Sequence, residues 1–166
     1  MPWHRVSPRG SSRFARIAGS AAALLVMGST LLAPLASGQQ GGSLPGYSGG
    51  ELSSADLAQG THIIVVWASW SPRCRDIAPR VNELVQTLSS LGRVVTVNFQ
   101  EERAAIADFV RQNRLDAPIF LDRDGEFSKG HAVTTLPGLI VVRKGEVVFQ
   151  GRLAAEAEAQ VRDILR

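Results

Sequence analysis

Trp67-Ala68-Ser69-Trp70-Ser71-Pro72-Arg73-Cys74 is the stretch that decides the fold. Just before it runs His62-Ile63-Ile64-Val65-Val66-Trp67, a short β-branched segment suited to a strand buried on both faces. After it, Ile77, Val81, Leu84, Val85, Leu88 and Leu91 recur at helical spacing, which predicts a helix from Pro72 to Leu91. Ser71 is then the expected N-cap and Pro72 the first helical residue, where a missing N–H costs nothing. Cys74 falls at the third helical position, among unpaired backbone N–H groups. The helix start, Arg73 and Arg75 favour its thiolate there, and burial opposes it.

Outward from this point strand-like and helix-like segments alternate. Val94–Phe99 reads as a second strand. Glu101 and Glu102 open a helix carrying Ile106, Phe109 and Val110, with Arg111 and Arg114 near its end, an order of charges that suits the helix dipole. Pro118–Leu121 is a third strand, closed by the turn Asp122-Arg123-Asp124-Gly125. Leu139–Val142 and Val147–Phe149 flank Lys144-Gly145 as a β-hairpin. Glu156–Leu165 closes the chain as a helix with Ala157, Val161 and Ile164 inward. This order predicts an α/β fold, a central mixed β-sheet with helices on both faces.

The net charge of +3 does not point to nucleic acid. Arg5, Arg9, Arg13 and Arg16 occupy the first sixteen residues, and no acid precedes Glu51. The other 14 basic residues face 15 acids, so the remainder is near neutral and carries no stripe for a phosphate backbone. The Arg-bearing start, the apolar run Ile17–Leu35 and Ala36-Ser37-Gly38 read as a signal peptide over residues 1–38, cleaved before Gln39, so the protein is expected to be periplasmic or otherwise extracytoplasmic. A leader left uncleaved would instead anchor the chain in the membrane. Residues 39–50, rich in Gly and Ser, read as a flexible linker, and 51–166 as one domain.

Cys74 is the only cysteine, so no disulfide forms within the chain and the fold rests on its core. The thiol is therefore either a small buried hydrophobe or a reactive group. His62 and His131 lack ligand partners in register, and Asp122-x-Asp124-Gly125 is too short for a calcium loop. No metal site and no cofactor are expected.

The Trp-Ala-Ser-Trp-x-Pro-x-Cys-Arg segment resembles the TlpA/ResA-type extracytoplasmic thioredoxins, whose usual form is Trp-Cys-x-x-Cys. Pro79 matches the proline that bends the active-site helix of that family, and Leu121–Gly125 its extra strand and turn. Thr135-Leu136-Pro137 matches its cis-proline loop. The resemblance covers roughly 51–166 and implies a thioredoxin-like fold. It also implies a site in which Cys74 and Ser71 hold the catalytic positions, while Trp70, Pro72, Leu136 and Pro137 contact substrate.

The departures from that family bear on function. Ser71 stands in the place of the attacking cysteine, and Cys74 in that of the resolving one. Ile77 replaces a buried glutamate, with Asp76 one place earlier, and Gly138 follows Pro137 where threonine is common. Thiol–disulfide exchange requires sulfur, so two-cysteine reduction is not expected. The resemblance leaves a role in envelope thiol–disulfide metabolism or cytochrome maturation, by binding or by single-thiol chemistry at Cys74. Its partner would be a protein thiol or disulfide, or a small thiol. The alternative is a one-cysteine peroxiredoxin-like peroxidase, with Ser71 in a threonine role and Arg143 as the cation. Trp67 stands where that pattern has proline.

Overall fold

The computed structural model describes residues 42–166. The leader read at 1–38 and the first residues of the expected linker lie outside them. Strand β3 (Thr61–Trp67) pairs in parallel with β4 (Arg93–Phe99), and β4 in parallel with β5 (Ile119–Asp122). On the other side β6 (Gly138–Arg143) and β7 (Glu146–Arg152) add antiparallel, giving the order β5-β4-β3-β6-β7. The fold is α/β and thioredoxin-like, built on a mixed sheet.

Connectivity explains where the helices lie. Helices α2 (Ile77–Leu88) and α3 (Arg103–Gln112) carry β3 to β4 and β4 to β5, two steps in one direction along the sheet. Right-handed crossovers then put both on one face, where α5 (Ala155–Leu165) joins them. Helices α1 (Ser54–Leu57) and α4 (Glu126–Gly130) cover the other face together with a small hairpin, β1 (Leu44–Pro45) and β2 (Glu51–Leu52).

The period-2 geometry of β3 divides its apolar run between these layers. Ile63, Val65 and Trp67 pack with Ile77, Val81, Leu84, Leu88, Ile106 and Val161. Ile64 and Val66 pack with Leu44, Leu52 and Phe120. Each such side chain contributes about 1.5–3 kcal/mol, and both faces of the sheet are covered, so the run needs no polar alternation. At Lys144-Gly145 both residues have positive φ (52° and 84°), the pairing a two-residue hairpin turn requires.

Four expectations are corrected. The linker 39–50 is structured from Leu44 on: Leu44 pairs with Leu52, Gly46 bridges Phe120, and the Tyr47 N–H donates to Ile119 O at 2.8 Å. The glycines there serve close approach; a Cβ on Gly46 would meet Gly49 O at 2.1 Å. The helix predicted from Pro72 to Leu91 is broken, with a 3-10 turn over Pro72–Cys74 and α2 beginning only at Ile77. Pro79 supplies the reason, because it has no N–H for the Arg75 carbonyl and its ring crowds that carbonyl. Helix α3 starts at Arg103 rather than at the two glutamates, and its first turn holds no acid. Ile164, expected inward, is 40% exposed, because α5 buries Ala157 and Val161 and ends one turn later.

Candidate functional site

The site forms where β3 runs out at its carboxyl end. Trp67 is fully buried against Phe109, ring centroids 4.6 Å apart, and Ala68 is buried beside it. Ser69 and Trp70 then emerge, with Trp70 61% exposed. The chain folds back at once: the Ser71 N–H donates to Ala68 O at 3.2 Å and the Cys74 N–H to Ser71 O at 2.9 Å. This second bond closes the 3-10 turn through the Ser71 carbonyl. The Ser71 hydroxyl makes no capping bond, contrary to the expectation from sequence, and the Cys74 N–H is paired rather than free.

Beside this turn lies a groove of about 500 Å³. Trp70, Ser71, Pro72 and Arg73 form one wall, and Val133–Leu136 form the facing one. Phe99 at the end of β4 and Ser128 of α4 complete it. A crevice at the carboxyl ends of parallel strands is where open α/β sheets bind ligands. Of the six residues the sequence singled out, the groove brings together Trp70, Ser71, Pro72 and Leu136.

Cys74 and Pro137 are not among its lining residues. Cys74 is 1% exposed and belongs to the core cluster with Val65, Trp67 and Ile77, because the 3-10 turn directs it inward. Pro137 is buried, follows a cis peptide bond, and offers its carbonyl to the Leu153 N–H at 3.0 Å.

Several supporting residues are invisible to sequence reasoning. The Glu101 carboxylate accepts the Ser69 N–H at 2.7 Å, the Ser69 hydroxyl, and the Asn98 side-chain amide at 2.6 Å. It anchors the loop that carries Trp70. Fully buried Asp122 accepts from the Ser128 N–H at 2.9 Å and the Ser128 hydroxyl at 2.6 Å, which fixes α4 and Ser128 at the groove. No local pattern announces either role. Glu101 reads as a helix-start acid and Asp122 as a turn residue, since their partners are set by the fold.

Among the residues that line the groove, Arg73 is the one with a charged side chain. Arg73 and Arg75 are exposed, and neither makes an ion pair among the described residues. Arg143, the cation of the peroxidase alternative, pairs with Thr61 at the opposite end of β3, and its guanidinium donates to Ile164 O at 2.7 Å. Six residue-to-residue steps of about 3.3 Å each separate Thr61 from Trp67, so Arg143 cannot serve Cys74. His131 lies within 2.9 Å of Phe127 O through Nδ1 and stacks on the Phe127 ring. His62 sits at the start of β3, away from the groove.

Comparison with known proteins agrees with the fold. The sporulation thiol-disulfide oxidoreductase A of Bacillus subtilis is 31% identical over 104 residues, which is 60% of this chain and 62% of that protein. The thiol-disulfide oxidoreductase ResA of Bacillus thuringiensis is 27% identical over 60% of this chain and 58% of its own length. The chain thus spans about three fifths of the curated relatives it matches. The crystal structure of StoA from Bacillus subtilis superposes with a TM-score of 0.60 at 25% identity, covering 74% of this chain and 93% of that one. The exposed lipoprotein thioredoxin Etrx1 of Streptococcus pneumoniae shares the fold with a TM-score of 0.65 at 19% identity, over 75% and 99% of the two chains. The AhpC/TSA family profile matches residues 40–150, and the chain belongs to that family, with ResA- and StoA-type thiol-disulfide oxidoreductases as its relatives.

Proposed function

We propose that this chain is an exported thioredoxin-fold protein of envelope thiol–disulfide metabolism or cytochrome maturation. In this reading the groove beside Trp70 holds a protein partner, and reduction by two cysteines is closed. The observation that carries it is an open groove lined by the turn that buries Cys74, the one cysteine, to 1% exposure, with a hydroxyl at Ser71 in the place of the attacking thiolate. A hydroxyl does not enter thiol–disulfide exchange. Single-thiol chemistry at Cys74, with a protein thiol or a small thiol, belongs to the same reading but requires the 3-10 turn to open first. The deciding experiment is an insulin-reduction assay on the unmodified chain. Negligible turnover is expected, and robust turnover without an added resolving thiol overturns the proposal.

Export rests on the leader sequence. The mature chain is expected to begin at Gln39, which N-terminal sequencing of the exported product checks; a full-length, membrane-embedded chain refutes cleavage and favours anchoring. The peroxidase reading draws support from the AhpC/TSA match and from Ser71 three residues before Cys74. The remote Arg143 and the buried thiol oppose it, and peroxide consumption with a thiol reductant is expected to stay at background.

A further inference from the structure

We propose that the groove selects a peptide segment that sets an apolar side chain beside a carboxylate, with Arg73 as the specificity-determining residue. The inference rests on the reading that the groove holds a peptide partner, and names what that partner must look like.

The walls specify the apolar part. Trp70, Phe99 and Leu136 present carbon surface on three sides, and Trp70 is the most exposed large hydrophobic side chain of the described residues. Ser71 and Thr135 add hydroxyl groups that donate or accept hydrogen bonds and set no charge preference. The one charged side chain among the lining residues is Arg73. It is exposed at the rim and has no carboxylate within ion-pair distance among the described residues. Glu101, whose carboxylate takes the Ser69 N–H, the Ser69 hydroxyl and the Asn98 amide, makes no ion pair with it and is not among the lining residues. An unpaired guanidinium at the edge of an apolar surface, with no lining acid to repel an anion, favours a carboxylate that approaches along that surface. Its planar fork binds a carboxylate bidentately, which a point charge does not. Basic segments meet the opposite field and are disfavoured.

The test uses the full chain and two cysteine-free peptides, acetylated and amidated: Gly-Ser-Phe-Glu-Leu-Gly and its counterpart with Lys in place of Glu, each carrying a fluorophore. Fluorescence anisotropy at low salt is expected to give about three- to tenfold tighter binding for the acidic peptide. Arg73→Gln should remove that difference, Arg73→Glu should invert it, and about 0.5 M sodium chloride should erase it. Arg75→Gln, one exposed cation further along and outside the groove, should leave it in place. Arg73 is exposed, so its variants keep the fold, and Trp70→Ala should weaken both peptides together. Equal affinity for the two peptides, binding of neither, or an unchanged preference in Arg73→Glu overturns the proposal. So does loss of the preference in Arg75→Gln, because a general positive field and not Arg73 would then be responsible. The peptides carry no sulfur, so their binding is independent of thiol chemistry, which the insulin assay decides separately.

Discussion

Glu101 holds Ser69 by two hydrogen bonds across 32 residues of sequence, one from the backbone N–H at 2.7 Å and one from the hydroxyl. The carboxylate also takes the Asn98 amide, so the end of β4 and the loop after β3 are tied into one unit directly behind Trp70. Hydrogen bonds to a charged acceptor contribute about 1.5–3 kcal/mol, less where water competes, and Glu101 is half-buried. Glu101→Ala is therefore expected to lower stability by about 1–2 kcal/mol, with Glu101→Gln in between. Urea denaturation followed by circular dichroism measures it. An unchanged midpoint in Glu101→Ala would mean the loop is held by something else.

Cys74 is expected to be silent toward thiol reagents until the fold opens. Its sulfur sits in the core cluster, and the turn that covers it must break the Cys74 N–H bond to Ser71 O before reagent arrives. If that local opening costs about 3 kcal/mol, an aromatic disulfide reagent modifies the folded chain roughly a hundredfold more slowly than the chain in urea. Equal rates in the two states would make Cys74 an exposed nucleophile and revive single-thiol chemistry as the leading route.

Ser71→Cys is expected to create insulin reduction where the unmodified chain has almost none. Positions 71 and 74 sit at the two ends of one 3-10 turn, a spacing that suits a disulfide, and Ser71 lies on the wall of the groove where a substrate disulfide would approach. The new thiolate would attack and Cys74 would release the product. The readout is the rate of insulin precipitation with a fixed reductant. A variant no faster than its parent would place the obstacle in the groove rather than in the missing sulfur.

What is legible in the sequence is whatever depends on near neighbours. The β-branched run before Trp67, the helical spacing from Ile77 to Leu88 and the Lys144-Gly145 turn each follow from local geometry, and together they give the α/β order. Composition misleads at residues 44–50, where glycine means a tight turn against Phe120 instead of a loose tether. Pro79 marks the family resemblance, yet it also forces the break at Arg75–Asp76 that helical spacing alone does not reveal. The remaining differences are matters of register. Whether Arg143 stands near Cys74 depends on which end of β3 it pairs with, and whether Cys74 faces water depends on how one short turn packs. Glu101 shows the same limit, since its partner lies in another strand's loop.

His62 supplies a prediction about pH. It is buried at the start of β3, opposite Arg93 in the parallel register with β4, and its Nδ1 has no hydrogen-bond partner among the described residues. Burial first, and then the positive charge of Arg93, lower its pKa from the ordinary value of 6.5, while Asp56 pulls weakly the other way. The folded chain thus binds this proton less readily than the unfolded chain does. In the linkage relation, stability rises with pH wherever the unfolded state holds more protons, so this contribution is complete above about pH 6.5 and is lost as pH falls toward the lowered folded value. Urea midpoints measured from about pH 8 down to about pH 5 should accordingly decline, and His62→Val, which puts a strand-favouring β-branched residue there, should flatten the decline over that window. A variant whose midpoint falls as steeply as its parent's would move the origin of the acid sensitivity to another group.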